Sequence, residues 1–161
     1  MTIQEYNQSV EKYADAVYRF VLKNIKNEEK AKDIIQDTFE KVWIKASTIQ
    51  FEKIKSYIFT TAYHTMIDYI RKDKHTQSME DNMEWQHSHN EHYTGLNEVL
   101  EQAFEYLPKI QKTVLVLRDY EGYSYKEIAV IADLTEAQVK VYIFRARRFL
   151  KNYIGHIETI I

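Results

Sequence analysis

The sequence predicts an all-α protein: two small helical modules joined by a flexible linker, the second containing a helix-turn-helix. Three observations carry this. Only one Pro and three Gly punctuate 161 residues, so there is little to break helices or to turn strands. Apolar residues recur at three- and four-residue spacing through most of the chain. Residues 73–95, DKHTQSMEDNMEWQHSHNEHYTG, hold no such period and are dominated by charged and amide side chains, the composition of a tether. The expected division is therefore a module at 1–72, a linker at 73–95 and a second module at 96–161.

Taken in order, Thr2 and Glu5 form a capping box, and Tyr6, Val10, Tyr13, Val17, Phe20, Val21 and Ile25 follow as one helical stripe. Asn27 is a good cap for a second helix, with Glu28 and Glu29 favourably placed in its first turn. Its apolar face is expected to be Ala31, Ile34, Ile35, Thr38, Val42 and Trp43, with an end near Lys45 to Ser47. TIQFEKIK, residues 48–55, interrupts the period and reads as a loop. Ser56 then caps a third helix whose polar end is Asp68, Arg71 and Lys72.

The second module opens with Leu96, Val99, Leu100, Ala103, Phe104 and Leu107 on one face, closed by Pro108. Ile110, Val114, Leu115, Leu117 and Tyr120 form the next stripe, and Gly122 suits a left-handed stop. Ser124 with Glu127 and Thr135 with Gln138 are two further capping boxes, eleven residues apart, so two short helices meet at a tight turn in which Asp133 takes the unusual backbone conformation. Gly155 is expected to end the last helix and leave a short apolar tail.

On that last helix a step of 100° per residue places Val139, Tyr142, Ile143, Ala146, Leu150 and Tyr153 inward. Outward lie Gln138, Lys140, Val141, Phe144, Arg145 and Arg148. A DNA major groove offers partners to each type: adenine edges to Gln, guanine edges to Arg, thymine methyls to Val and Phe, and phosphates to the cations. Helix formation alone explains neither Val141 nor Phe144 on that face.

Charge is unevenly placed. The net charge is −2, yet residues 136–153 carry five cations and one anion, while residues 73–95 carry one cation and five anions. A local basic patch without a global excess points to weak DNA affinity alone and to work with a larger partner. Cysteine is absent, which removes disulfides, thiol nucleophiles and zinc–thiolate sites. No apolar run approaches the ~20 residues needed to span a bilayer, and the N-terminal stretch lacks a signal pattern, so a cytoplasmic protein is expected. His87, His89 and His92 in the linker could hold only an adventitious metal, and no cofactor or functional metal is expected.

Three stretches together resemble the extracytoplasmic-function (ECF) sigma factors of bacterial RNA polymerase. AKDIIQDTFEKVW is similar to the family's polymerase-docking helix, SYIFTTAYHTMIDYIRK to its minus-ten helix, and SYKEIAVIADLTEAQVKVYIFRARRFLK to its minus-thirty-five reader. The resemblance implies core-polymerase contacts at Asp33, Gln36, Asp37 and Phe39. It also implies minus-ten contacts around Phe51, Tyr63, His64 and Arg71, with Phe51 in a loop that receives an extruded base, and minus-thirty-five contacts at Gln138, Lys140, Val141, Phe144, Arg145 and Arg148. Promoter DNA, core RNA polymerase and an inhibitory anti-sigma factor are the implied partners. Three other readings remain: a free-standing helix-turn-helix regulator, a metal-dependent enzyme built on His64 with Asp68 plus the linker histidines, and an interaction-only scaffold.

Overall fold

A computed structural model describes residues 1–79 and 96–160. Most of the expected linker, including His87, His89 and His92, lies outside the described residues. Among those described there are seven α-helices and no strand.

Helix α1 (Ile3–Ile25) begins at Thr2, whose Oγ1 accepts from the Glu5 N–H at 3.1 Å while the Glu5 carboxylate accepts from the Thr2 N–H at 2.8 Å. It ends at Lys26, which turns left-handed (φ 57°) and returns its N–H to Leu22 O. Asn27 Oδ1 accepts from the Lys30 N–H and starts α2 (Glu28–Ile44) at once. Two 3₁₀ turns, Ala46–Thr48 and Phe51–Lys53, carry the chain round to α3 (Ile54–Met79). Val17, Phe20, Val21, Ile34, Val42, Ile58, Phe59 and Met66 are the core these three helices enclose.

Helix α3 departs from expectation at both ends. It starts two residues before Ser56, because Ile54 is buried and anchors its first turn. It also runs past Lys72 to Met79, since residues 73–79 contain no Gly or Pro to stop a helix already propagating.

In the second half, α4 (Leu96–Glu105) ends before Pro108, which precedes α5 (Lys109–Leu115). Helix α5 relaxes into a π-helical turn over Val116–Tyr120, where the Glu121 N–H reaches back to Val116 O at 3.0 Å. Gly122 (φ 75°) then reverses the chain, as its position suggested. Helices α6 (Tyr125–Ala132) and α7 (Glu136–Ile160) follow. The expected apolar tail after Gly155 is instead the continuation of α7. Glycine weakens a helix interior by roughly 1 kcal/mol relative to alanine but does not have to end it, and Gly155 does not take a positive φ.

The two halves pack against each other, chiefly α3 on α6, and share a contiguous hydrophobic core. Tyr123, 3% exposed, sits edge-on to Phe59 with ring centroids 4.9 Å apart, and Lys55 Nζ lies 4.2 Å from its centroid. Three ion pairs at this boundary run in the same direction. Arg19, Lys26 and Lys55 come from the first half and meet Glu121, Glu105 and Glu127 of the second at 3.5, 3.0 and 3.9 Å. Lys23 adds a cation–π contact over Tyr120 at 4.3 Å.

Candidate nucleic-acid interface

The helix-turn-helix is set by its caps. Ser124 Oγ accepts from the Glu127 N–H at 3.1 Å, and the Glu127 carboxylate accepts from the Ser124 N–H at 3.2 Å. Thr135 and Gln138 repeat the exchange at 3.1 and 2.9 Å. Between them Asp133 adopts the left-handed conformation (φ 55°, ψ 54°), and the N–H groups of Asp133 and Leu134 both return to Ala129 O. The α6 end is thereby closed two residues before α7 opens, which forces the steep crossing.

Val139, Ile143 and Ala146 are buried against α6 and α5, so the rotation of α7 is fixed. Gln138, Lys140, Val141, Phe144, Arg145 and Arg148 are all exposed, as their spacing predicted. Phe144 is 65% exposed, a large apolar area left facing solvent in this chain. Arg145 and Arg148 engage no carboxylate among the described residues, whereas Arg147 makes a two-point contact with Asp119, whose hydrogen bonds and charge raise its pKa.

Two side chains on this surface are held by neighbours, Lys140 by an aromatic ring and Gln138 by its capping box. Lys140 Nζ lies 5.6 Å from the Tyr125 ring centroid, and the Arg118 guanidinium 4.4 Å from it. Gln138 spends its carbonyl oxygen on the Thr135 N–H, leaving its amide NH₂ as the group directed outward. A two-point contact with adenine needs both ends of the amide, so it would have to compete with the cap.

In the first half, Asp33 and Gln36 are exposed on α2. Asp37 is half-buried and accepts the Tyr69 hydroxyl at 2.5 Å, and this hydrogen bond, with burial and the carboxylate charges behind it, pushes the Tyr69 pKa up to about 12. Phe39 departs from the expected docking face: it is 8% exposed and belongs to the core. Trp43 departs the other way. It was expected inside but is 48% exposed, edge-on to Tyr6 at 4.9 Å, beside Ile44 at 70%. The Tyr6 hydroxyl, donating to Phe39 O at 2.9 Å, pins this corner.

His64 and Arg71 are exposed and share one face of α3, two turns apart, while Phe51 lies at the edge of exposure in the preceding 3₁₀ turn. Tyr63 is only half-exposed. Burial raises its pKa, with a smaller contribution from the Asp133 carboxylate of the helix-turn-helix. The α3 surface that carries Tyr63 thus looks toward the second half. His64 and Asp68 are exposed one turn apart, and no group of three or more metal-capable side chains occurs among the described residues.

Comparison with known proteins bears on this arrangement directly. The family model for Sigma-70 region 2 matches residues 9–76, and that for Sigma-70, region 4 matches residues 97–150, which includes α6, the turn and α7 as far as Leu150. The ECF RNA polymerase sigma factor SigM of Bacillus subtilis is 33% identical over 156 residues, covering 94% of each chain. The chain belongs to the ECF RNA polymerase sigma factors. The B. subtilis RNA polymerase sigma factor SigV is 31% identical over 137 residues, covering 83% of this sigma factor and 81% of its own length. The sigma factor RpoE from Bartonella quintana, solved in complex with the anti-sigma factor NepR, shares the fold with a TM-score of 0.79 at 23% identity, over 95% of this chain and 98% of that one. No described helix of the sigma factor is long and apolar enough to cross a membrane.

Proposed function

We propose that this ECF sigma factor directs core RNA polymerase to its promoters through three surfaces, acting in the cytoplasm. The exposed acceptors Asp33 and Gln36, with Asp37 and the neighbouring Trp43 and Ile44, form the polymerase-docking face. Carboxylates and an aromatic anchor together suit a partner surface of cations around an apolar pocket. Phe51, Tyr63, His64 and Arg71 attend the minus-ten element, where an extruded base is held by stacking and cationic contacts. The outer face of α7 reads the minus-thirty-five element.

The observation that carries this reading is the α7 surface: six exposed residues of groove-reading type on a helix whose start and rotation are both fixed. With Gln138 partly committed to its cap, Arg145 is the principal base reader and Arg148 and Lys140 are phosphate contacts. The functional units are 1–72, extended along α3, and 96–161, tethered by the intervening stretch. The contact between Tyr63 and the helix-turn-helix side must open for both units to reach DNA at once. Two weak grips on one promoter then reinforce each other through effective concentration. An anti-sigma factor that covers these surfaces is the expected regulator.

Arg145→Ala tests the assignment. In the holoenzyme it should weaken binding to the preferred promoter by about 1–3 kcal/mol and relax specificity at one position. A uniform loss across all sequences would demote Arg145 to a phosphate contact.

A further inference from the structure

Where the two halves meet, a cleft of about 320 Å³ is walled by α1, α3 and the start of α2 from the first half and by α5 from the second. Lys30, Lys74, Lys109 and Lys112 line it, and among the described residues that line it Asp73 is the acid. Asp73 is taken up by Lys30, and Glu105, whose charge also acts on Lys112, is paired with Lys26. The remaining ammonium groups face one another. Lys109 is held below the ordinary lysine range first by burial and then by Lys74, and Lys112 first by burial and then by Lys26. Ile67 and Ile70 supply an apolar wall.

Cations crowded at the rim of a low-dielectric cleft repel one another unless an anion sits among them. Both α3 and α5 contribute, so the anion would bridge the two halves. We propose that this cleft is a binding site for a small polyphosphate-bearing ligand, its phosphates on Lys74, Lys109 and Lys112 and any flat apolar group on Ile67 and Ile70. Neither the promoter-reading face of α7 nor the acidic face of α2 lines it. Diphosphate matches the chemistry better than a carboxylate, because it offers several acceptors to several separated ammonium donors within one small volume.

The test is calorimetric titration of the full chain with inorganic pyrophosphate and, separately, ADP, at fixed ionic strength. Saturable one-to-one binding is expected, weakened about tenfold by Lys109→Gln or by Lys74→Gln. Asp73→Asn should tighten it, since this frees Lys30 and removes a carboxylate from the lining, and a gain of affinity cannot come from misfolding. The proposal is overturned by no saturable heat with either probe, by unchanged affinity in the lysine variants, or by weaker binding in Asp73→Asn. It is equally overturned if a duplex of random sequence, and not pyrophosphate, shows the lysine dependence, because the cleft is then a groove for nucleic-acid backbone.

Discussion

Tyr123 is the side chain on which the packing of the two halves turns, and Tyr123→Ala is the perturbation that measures it. A tyrosine buries about 150–200 Å² in such a site, which at ~25 cal/mol per Å² gives an upper figure of about 4–5 kcal/mol. The edge-on contact with Phe59 contributes within that total, as does the Lys55 cation above the ring. Large-to-small changes at buried aromatic positions cost about 3–5 kcal/mol, so the two routes to the number agree. Urea denaturation should therefore show a lower midpoint for Tyr123→Ala. Tyr123→Phe, which keeps the ring against Phe59, should lose less than about 1 kcal/mol. Hydrogen exchange should report faster amide exchange in α6 and in the middle of α3 together, since both lose the same partner. An unchanged midpoint for Tyr123→Ala, with α3 exchange undisturbed, would refute the claim that this contact holds the halves together.

Other consequences are local. Ser124→Ala removes the cap of α6 and should cost about 1 kcal/mol in urea denaturation, with a matching loss of DNA affinity as the turn loosens. Gly122→Ala places a side chain at φ 75° where nothing lies within 4 Å of it, so the cost is backbone strain alone, about 1 kcal/mol, and a larger loss would mean that packing is involved. Tyr69→Phe should be less stable than the parent at neutral pH because Asp37 loses its donor. The Tyr69 pKa rises on folding from 10.0 to about 12, so this contribution is present below pH 10 and disappears as pH climbs to 12. Thermal melts at pH 8 and pH 11 should show the gap between the two proteins narrowing. The same hydrogen bond makes Asp33→Ala the cleaner test of polymerase docking, because Asp37→Ala also disturbs α3.

The features legible in the sequence were those fixed by a few neighbouring residues. The capping boxes at Thr2, Ser124 and Thr135, the Asn27 cap, the left-handed Asp133 and Gly122, and the inward set Val139, Ile143 and Ala146 all depend on contacts within a turn or on simple rotation. Errors arose where the deciding partner was distant or where a signal was only a preference. Phe39 and Trp43 sit one turn apart on α2, and which of them enters the core depends on where α1 sets Tyr6. Ser56 and Gly155 are ordinary punctuation that a helix held by tertiary packing overrode. The packing of one half on the other was hidden because its ion pairs join residues 72 to 102 positions apart, and nothing in a linear reading matches Arg19 to Glu121 or Lys55 to Glu127. On the candidate interface, the residue types, their exposure and the capping of Gln138 were visible in advance, whereas the placement of Lys140 and Arg118 about Tyr125 required the fold.

The central claim is most directly tested by transcription in vitro from a promoter library randomised at both elements, using core RNA polymerase with and without this chain. The account predicts transcripts that depend on the chain and come from templates sharing one upstream and one downstream sequence, with the upstream preference relaxed by Arg145→Ala. Transcription no greater than that of core enzyme alone, from a chain shown by circular dichroism to be helical and folded, would contradict it.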